Sequence, residues 1–241
     1  MKLFKKIYSN LNLFYKSFFS KKKFFSFSGV DIIIENIFRN LNNGIYLDVG
    51  CQNPIKNNNT YLLYRKGWTG INIDLDQDNI DLFNTSRPND TNICCAVSNI
   101  VGEKKLYFYH KKSPINTIDP IVSKYQKAKL KEVRNIKTDT LNNLLLNCNL
   151  QSRQIDFMTI DVEGHELEVL KGFDFSKYNP QVIVVEFLDL TLRKIEIKNQ
   201  NIEKILNSEL YKFITSKNYT LVNLIYADLV FVKNQNDLKY L

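Results

Sequence analysis

From residue 31 onward the chain alternates two hydrophobic patterns. Short apolar runs bounded by Gly, Asp, Asn or Pro read as strands; stretches with apolar residues three and four apart read as helices. DIIIENIFRNL (31–41) has helical spacing, GIYLDVG (44–50) is a strand, TYLLYRKG (60–67) a short helix and WTGINIDL (68–75) a second strand. DNIDLFNTSR (78–87) is a helix and TNICCAVS (91–98) a third strand. KKLYFYH (104–110) is extended, and DPIVSKYQKAK (119–129) is helical, in an insertion before the helix TDTLNNLLLNC (138–148). IDFMTIDV (155–162) is a strand, GHELEVLKGF (164–173) a helix and PQVIVVEF (180–187) a strand. NIEKILNSELYKFITSKN (201–218) reads as one late helix, and YTLVNLI (219–225) and DLVFVK (228–233) as two tightly joined, antiparallel strands. Strands separated by helices predict an α/β fold with a doubly wound, mostly parallel, Rossmann-like sheet covered on both faces and a C-terminal antiparallel strand pair.

Composition adds little to this, but charge does. The 241 residues are 44% hydrophobic and 24% charged, ordinary for a folded domain. The net charge is +8, and residues 1–30 contain seven lysines and no acid, so that segment holds nearly the whole excess. We read 1–30 as a basic, aromatic extension and 31–241 as the domain. The extension has no apolar run long enough to span a bilayer, nor the plan of a signal peptide. It either packs on the domain or touches an anionic membrane. Four cysteines without a CxxC pair, and two histidines, argue against zinc or a disulfide framework and fit a reducing cytoplasm. Cys51 has no histidine near it in sequence, which disfavours a nucleophile.

The first strand ends in Asp48-Val49-Gly50, where a doubly wound sheet places its ligand. Gly50 allows a ligand close to the backbone. The second strand ends at Asp74, 24 residues later, suited to accept both hydroxyls of a ribose. The turn itself, G-C-Q-N-P-I, lacks the second and third glycines that a pyrophosphate needs, and Pro54 has no N–H. This favours S-adenosylmethionine over a dinucleotide, with a purely structural turn as a third reading. Asp48 and Asn53 would help hold its polar amino-acid end. Ala96 and Val97, after the third strand, would lie near the adenine, and Asn59 and Thr60 near the methionine end or the acceptor.

YLDVGCQNPIKNNNTYLLYRKGWTGINIDLDQDNIDLFNTSRPNDTNICCAVS, VRNIKTDTLNNLL and above all IDFMTIDVEGHELEVLKGFDFSKYNPQVIVVEF resemble the FkbM family of methyltransferases, over roughly residues 44 to 233. The resemblance implies the class I methyltransferase fold, S-adenosylmethionine as cofactor, and O-methylation of sugars, polyketides and similar hydroxylated products. Departures are Cys51-Gln52-Asn53 after the first glycine, Asn58-Asn59-Thr60-Tyr61 where the family has SNTY, and Leu75 where a proline commonly follows the ribose acid. None removes an obvious ligand group.

IDVEGHELEVL places Asp161, Glu163, His165 and Glu166 within six residues, just past an apolar strand. Methyl transfer to a hydroxyl requires alignment of the acceptor and removal of its proton, which a carboxylate or histidine can perform. We therefore expect Asp161, Glu163 and His165 to be catalytic, Asp161 also touching the cofactor. Each has a plainer alternative: a cap, a first-turn acid, a solvated helix residue. Glu186 joins them because an acid ending an apolar strand is costly to bury without a partner. The acids could also hold a divalent cation; no metal is predicted. Arg87 and Asp90 are expected to pair and fix a loop, Trp68 to pack, and Asn116 and Thr117 to be weak acceptor contacts. The acceptor expected is a glycan or other hydroxylated small molecule, modified in the cytoplasm, with peripheral contact to the inner membrane face through 1–30. Nucleic acid is disfavoured because no D/N-P-P-Y/F motif is present and the excess charge lies in residues 1–30. A non-catalytic module retaining the fold is the other rival. Oligomeric state is not legible.

Overall fold

The computed structural model describes residues 11, 24–148, 154–191 and 201–234. Its elements run α1 (Val30–Ile37), β1 (Ile45–Val49), α2 (Tyr61–Tyr64), β2 (Thr69–Asp74), α3 (Gln77–Ser86), β3 (Thr91–Cys94), β4 (Ala96–Val97), β5 (Gly102–Phe108), α4 (Pro120–Tyr125), β6 (Glu132–Asp139), α5 (Leu141–Leu146), β7 (Phe157–Ile160), α6 (Glu166–Lys171), β8 (Val182–Glu186), α7 (Ile202–Asn207), α8 (Glu209–Ser216), β9 (Tyr219–Ile225) and β10 (Asp228–Lys233). Seven strands form one sheet in the order β3-β2-β1-β7-β8-β10-β9. The first five are mutually parallel; β10 is antiparallel to both neighbours. This is the doubly wound sheet with a closing antiparallel pair that the sequence predicts. The order in which strands are added reverses between β1 and β7, so a crevice opens at their carboxyl ends.

The central strands are apolar because both faces are covered. One face carries α1, whose Val30 and Ile34 pack with Phe38, Trp68, Tyr46, Phe157 and Val184. The other is covered from α5 to α8 by Leu141, Leu145, Val169, Leu170, Leu210 and Ile214. Trp68 is buried, as expected of a packing residue.

Three local expectations change. TNICCAVS is two strands: Cys95 gives its N–H to the Asp74 carbonyl, β3 stays with β2, and β4 leaves to pair with β6. A second, three-stranded sheet, β4-β6-β5, results; β6 is too polar to announce itself. The late helix is two helices, because Ser208 is extended and its hydroxyl caps α8 through the Tyr211 N–H. Charge is less segregated than the sum suggests. Residues 101–140, which include β5 and β6, hold ten Lys or Arg and four Asp or Glu, so the basic excess is not confined to residues 1–30.

Residues 24–30 are built into the domain rather than appended to it. The Phe25 carbonyl accepts from Asn58 N–H, the Phe25 ring meets Tyr61 edge-on, and Ser28 Oγ donates to Asp228. Apart from Leu11, the rest of the segment for which membrane contact is expected lies outside the described residues. Among the described residues no helix is long and apolar enough to cross a membrane.

Candidate active site

The crevice is a cleft of about 530 Å³. Its walls come from the turn after β1 (Asp48–Gln52), the Asn57–Asn59 loop, the ends of β2, β7 and β8, the β3–β4 junction, the loop after β5 and the β9–β10 turn. The single glycine of the first turn has a specific task. Gly50 has φ +82°, and a Cβ there would stand 1.7 Å from the Asp161 carbonyl oxygen. Only glycine lets the β1 turn pass against the end of β7, which sets Asp48 and Asp161 side by side. At the β2 end, Asp74 accepts hydrogen bonds from Gln52 N–H (2.9 Å), Asp76 N–H (2.8 Å) and the Asn79 amide (3.1 Å). Burial pushes its carboxyl up, and these three donors pull against that. Leu75, Ala96 and Val97 line the cleft beside it, with Ile73 and Cys95. Cys51 also lines it, but burial and the nearby Asp74 and Asp48 push its thiol well above the ordinary range, which opposes a thiolate nucleophile.

Asp48 is buried and accepts from the Asn58 amide (3.0 Å) and the Thr60 hydroxyl (2.8 Å). Both donors are held by Arg87, whose guanidinium donates to Asn58 Oδ1 (2.7 Å) and Thr60 Oγ1 (2.8 Å). Arg87 is fully buried and also bonds the Pro54 carbonyl and the Tyr46 hydroxyl. Burial raises Asp48 to about 6, with Arg87 opposing the rise. Sequence reading missed Arg87 and Asn58 as site organisers; a lone Arg after a helix carries no signal of what it reaches. Its expected partner Asp90 is joined to it through the Tyr46 hydroxyl, which donates to the Asp90 carboxylate.

Asp161, Glu163 and Glu186 converge at the other end, with carboxylate oxygens within 4.8 Å of one another. Burial is the first cause of the raised value at each. It lifts Glu163 to about 9, helped by Asp161 and Glu166. Glu186 is lifted well above its ordinary range by burial and then by Asp161, Glu163 and Glu166; its hydrogen bond with Asp161 raises it further and lowers Asp161, which burial raises. Asp161 is open to the cleft interior while walled by protein. Asp228 adds a fourth acid, raised to about 6 by burial.

Four expected contacts, Asn53, Thr60, His165 and Thr117, lie elsewhere. Asn53 turns back to accept from the Ile55 and Lys56 N–H groups, outside the cleft lining. Thr60 is buried behind Asp48 and acts through it. His165 sits at the N-terminus of α6, buried, with Nε2 3.0 Å from Ser98 Oγ. The left-handed Glu163-Gly164 pair turns the chain between them, so Glu163 faces the cleft and His165 does not. Asn59 lines the cleft and holds Thr159 Oγ1, and Asn116 lines it too. Thr117 is buried, bonding the Glu163 carbonyl. His110 is exposed, its Nδ1 against the Lys111 carbonyl.

The lining holds seven acidic side chains, Asp48, Asp74, Asp76, Asp161, Glu163, Glu186 and Asp228, and among the described residues no Lys or Arg. Such a cleft repels a pyrophosphate and suits a cation. S-adenosylmethionine, with an ammonium, a sulfonium and no phosphate, is compatible with this donor set, in which Asp74, Asp48 and Asp161 would be its polar partners and Ile73, Leu75, Ala96 and Val97 its apolar ones.

Residues 48–219 match the model of the methyltransferase FkbM domain. No curated protein matches the chain significantly. Among solved structures, a methyltransferase FkbM from Methylobacillus flagellatus KT is similar at 11% identity and a TM-score of 0.46, over 78% of this chain and 43% of that one. The chain therefore spans less than half the length of that solved methyltransferase. With its match extending over most of the domain, the chain belongs to the FkbM methyltransferase family.

Proposed function

We propose that this chain binds S-adenosylmethionine and methylates a hydroxyl of a glycan or saccharide precursor. The observation that carries the cofactor half is the cleft's acidity: seven carboxyl groups, two of them held protonated near neutral pH, and, among the described residues, no lysine or arginine. When bound, S-adenosylmethionine supplies a methyl group on a positively charged sulfur, ready for displacement. Everything else is the work of the chain's own residues. Asp74 would hold the ribose, and the Asp48 carboxylate, fixed by Asn58 and Thr60, would hold the positive end. Glu163 and Glu186 keep their protons near neutral pH, because both are raised. Burial raises Asp161 too, but its hydrogen bond with Glu186 lowers it while raising Glu186, and Asp161 is the member we assign as base for the acceptor hydroxyl. The histidine expected in this cluster has no part in it.

The acceptor half rests on the family and on the neutral character of hydroxylated saccharides, which an acidic cleft does not repel. Four free cysteines fit a reducing compartment, and the cytoplasmic side of a membrane remains the proposed place of work. The test is transfer of a labelled methyl group from S-adenosylmethionine to saccharide extracts, by wild type and Asp161→Asn. The reading expects label in a saccharide fraction and at least roughly a hundredfold loss in the variant. Cofactor binding without transfer to any extract would favour the non-catalytic module. The basic stretch 101–140 keeps the nucleic-acid reading in play; label in RNA or DNA, with salt-dependent binding, would favour it.

A further inference from the structure

We infer that Phe27 and Tyr226 form the sugar-stacking platform of the acceptor subsite, with Asp228 accepting a hydrogen bond from a ring hydroxyl. The inference rests on the saccharide reading above and adds the residues that select the ring. Glu186 and Asp228 face each other at the ends of β8 and β10, and the Phe187 N–H bonds the Ala227 carbonyl. The Tyr226-Ala227 turn therefore projects just beyond the strand end that carries the acid cluster. Tyr226, with φ +59°, and Phe27 meet edge to face, ring centroids 5.0 Å apart at 69°. Both line the cleft, yet Phe27 is 63% and Tyr226 41% exposed.

Two large rings held open to solvent beside carboxylates are poorly explained by packing. The segment that carries Phe27 is pinned, not loose: Ser26 Oγ donates to Asp31, Asn58 N–H to the Phe25 carbonyl, and Ser28 Oγ to Asp228. Fixed aromatic surface costs little entropy when a ligand arrives. A pyranose matches it in both respects. Its C–H face is apolar and weakly positive, complementary to the negative face of an aromatic ring. Its hydroxyls donate to carboxylates, which this cleft offers with no Lys or Arg among its described lining residues. A planar aromatic acceptor would use the rings but leave the acids idle, and an anionic acceptor would be repelled by them.

The test is saturation-transfer NMR on the full chain loaded with S-adenosylhomocysteine, irradiating aromatic protein protons. The probes are the methyl glycosides of glucose, mannose and rhamnose, with phenol as the aromatic alternative. Wild type should pass saturation to the ring C–H protons of at least one glycoside. Phe27→Ala and Tyr226→Ala should each weaken that binding about fivefold, and Tyr226→Phe should retain it. S-adenosylhomocysteine affinity, read in parallel, should not change and reports that the variants fold. Saturation of no glycoside, saturation undiminished in both alanine variants, or saturation of phenol alone overturns the platform. If glycosides bind through these rings while S-adenosylhomocysteine does not bind wild type, the methyltransferase reading falls and the platform stands. If S-adenosylhomocysteine binds and glycosides do not, the platform falls alone.

Discussion

Arg87→Met tests whether the site's first half is held by one buried cation. Arg87 is wholly buried, bonded to Thr60, Asn58, Tyr46 and Pro54, and surrounded by Phe83, Tyr64, Tyr61 and Tyr46 at 4.9–5.8 Å. Methionine fills much of the same space between the rings but leaves Asp48 without a compensating charge. Removing one member of a buried charged pair costs about 3–5 kcal/mol. Two effects soften that here: Asp48, already raised to about 6, can take up a proton, and methionine packs well on aromatics. The net expectation is about 3 kcal/mol at pH 8, a fall in melting temperature of roughly 6–12 °C for a domain of this size. Urea unfolding and calorimetry of both proteins at pH 8 and pH 5 measure it. At pH 5 the deficit should shrink, because a protonated Asp48 no longer needs the cation. Adding Asp48→Asn should recover most of the loss. A deficit below about 1 kcal/mol, or one equal at both pH values, refutes the account of Arg87.

Three further outcomes are expected. Gly50→Ala must displace the Asp161 carbonyl by more than 1 Å and adopt φ near +82°; it should cost about 2–4 kcal/mol by calorimetry and weaken S-adenosylhomocysteine binding in titration. Acidification should weaken that binding too. The ligand's ammonium competes with protons on Asp48, raised to about 6, so affinity is full above that value and falls as pH drops through it. Glu163 is an acid whose folded value, about 9, lies above its unfolded one. Its burial therefore lowers stability as pH rises from the ordinary carboxylate range toward 9, and acidification restores it. Glu163→Gln should melt higher than wild type at pH 8, with a flatter pH profile.

What was legible in the sequence is what lies along one strand. Asp48, Asp74, Asp161 and Glu186 each end or follow an apolar run, and a doubly wound sheet brings strand ends together. What was hidden depends on contacts between distant segments. Ser28 and Asp228 are 200 positions apart, and nothing near Phe27 or Tyr226 in sequence says that they meet. Proximity also misled: His165 lies two residues from Glu163, but a left-handed turn sends it to Ser98. The break at Ser208 and the departure of β4 from the main sheet were invisible for a related reason. Helical spacing continues through the cap, and strand residues do not reveal which sheet they join.

The central claim, an acidic cleft built for S-adenosylmethionine, is tested most directly by calorimetric titration of S-adenosylhomocysteine, with NADH as control, into wild type and Asp74→Ala. The account predicts binding to wild type, no binding of NADH, and at least a roughly tenfold loss, about 1.4 kcal/mol, in the variant. Binding of NADH, an unchanged affinity in Asp74→Ala, or a folded wild type that takes up neither ligand would contradict it.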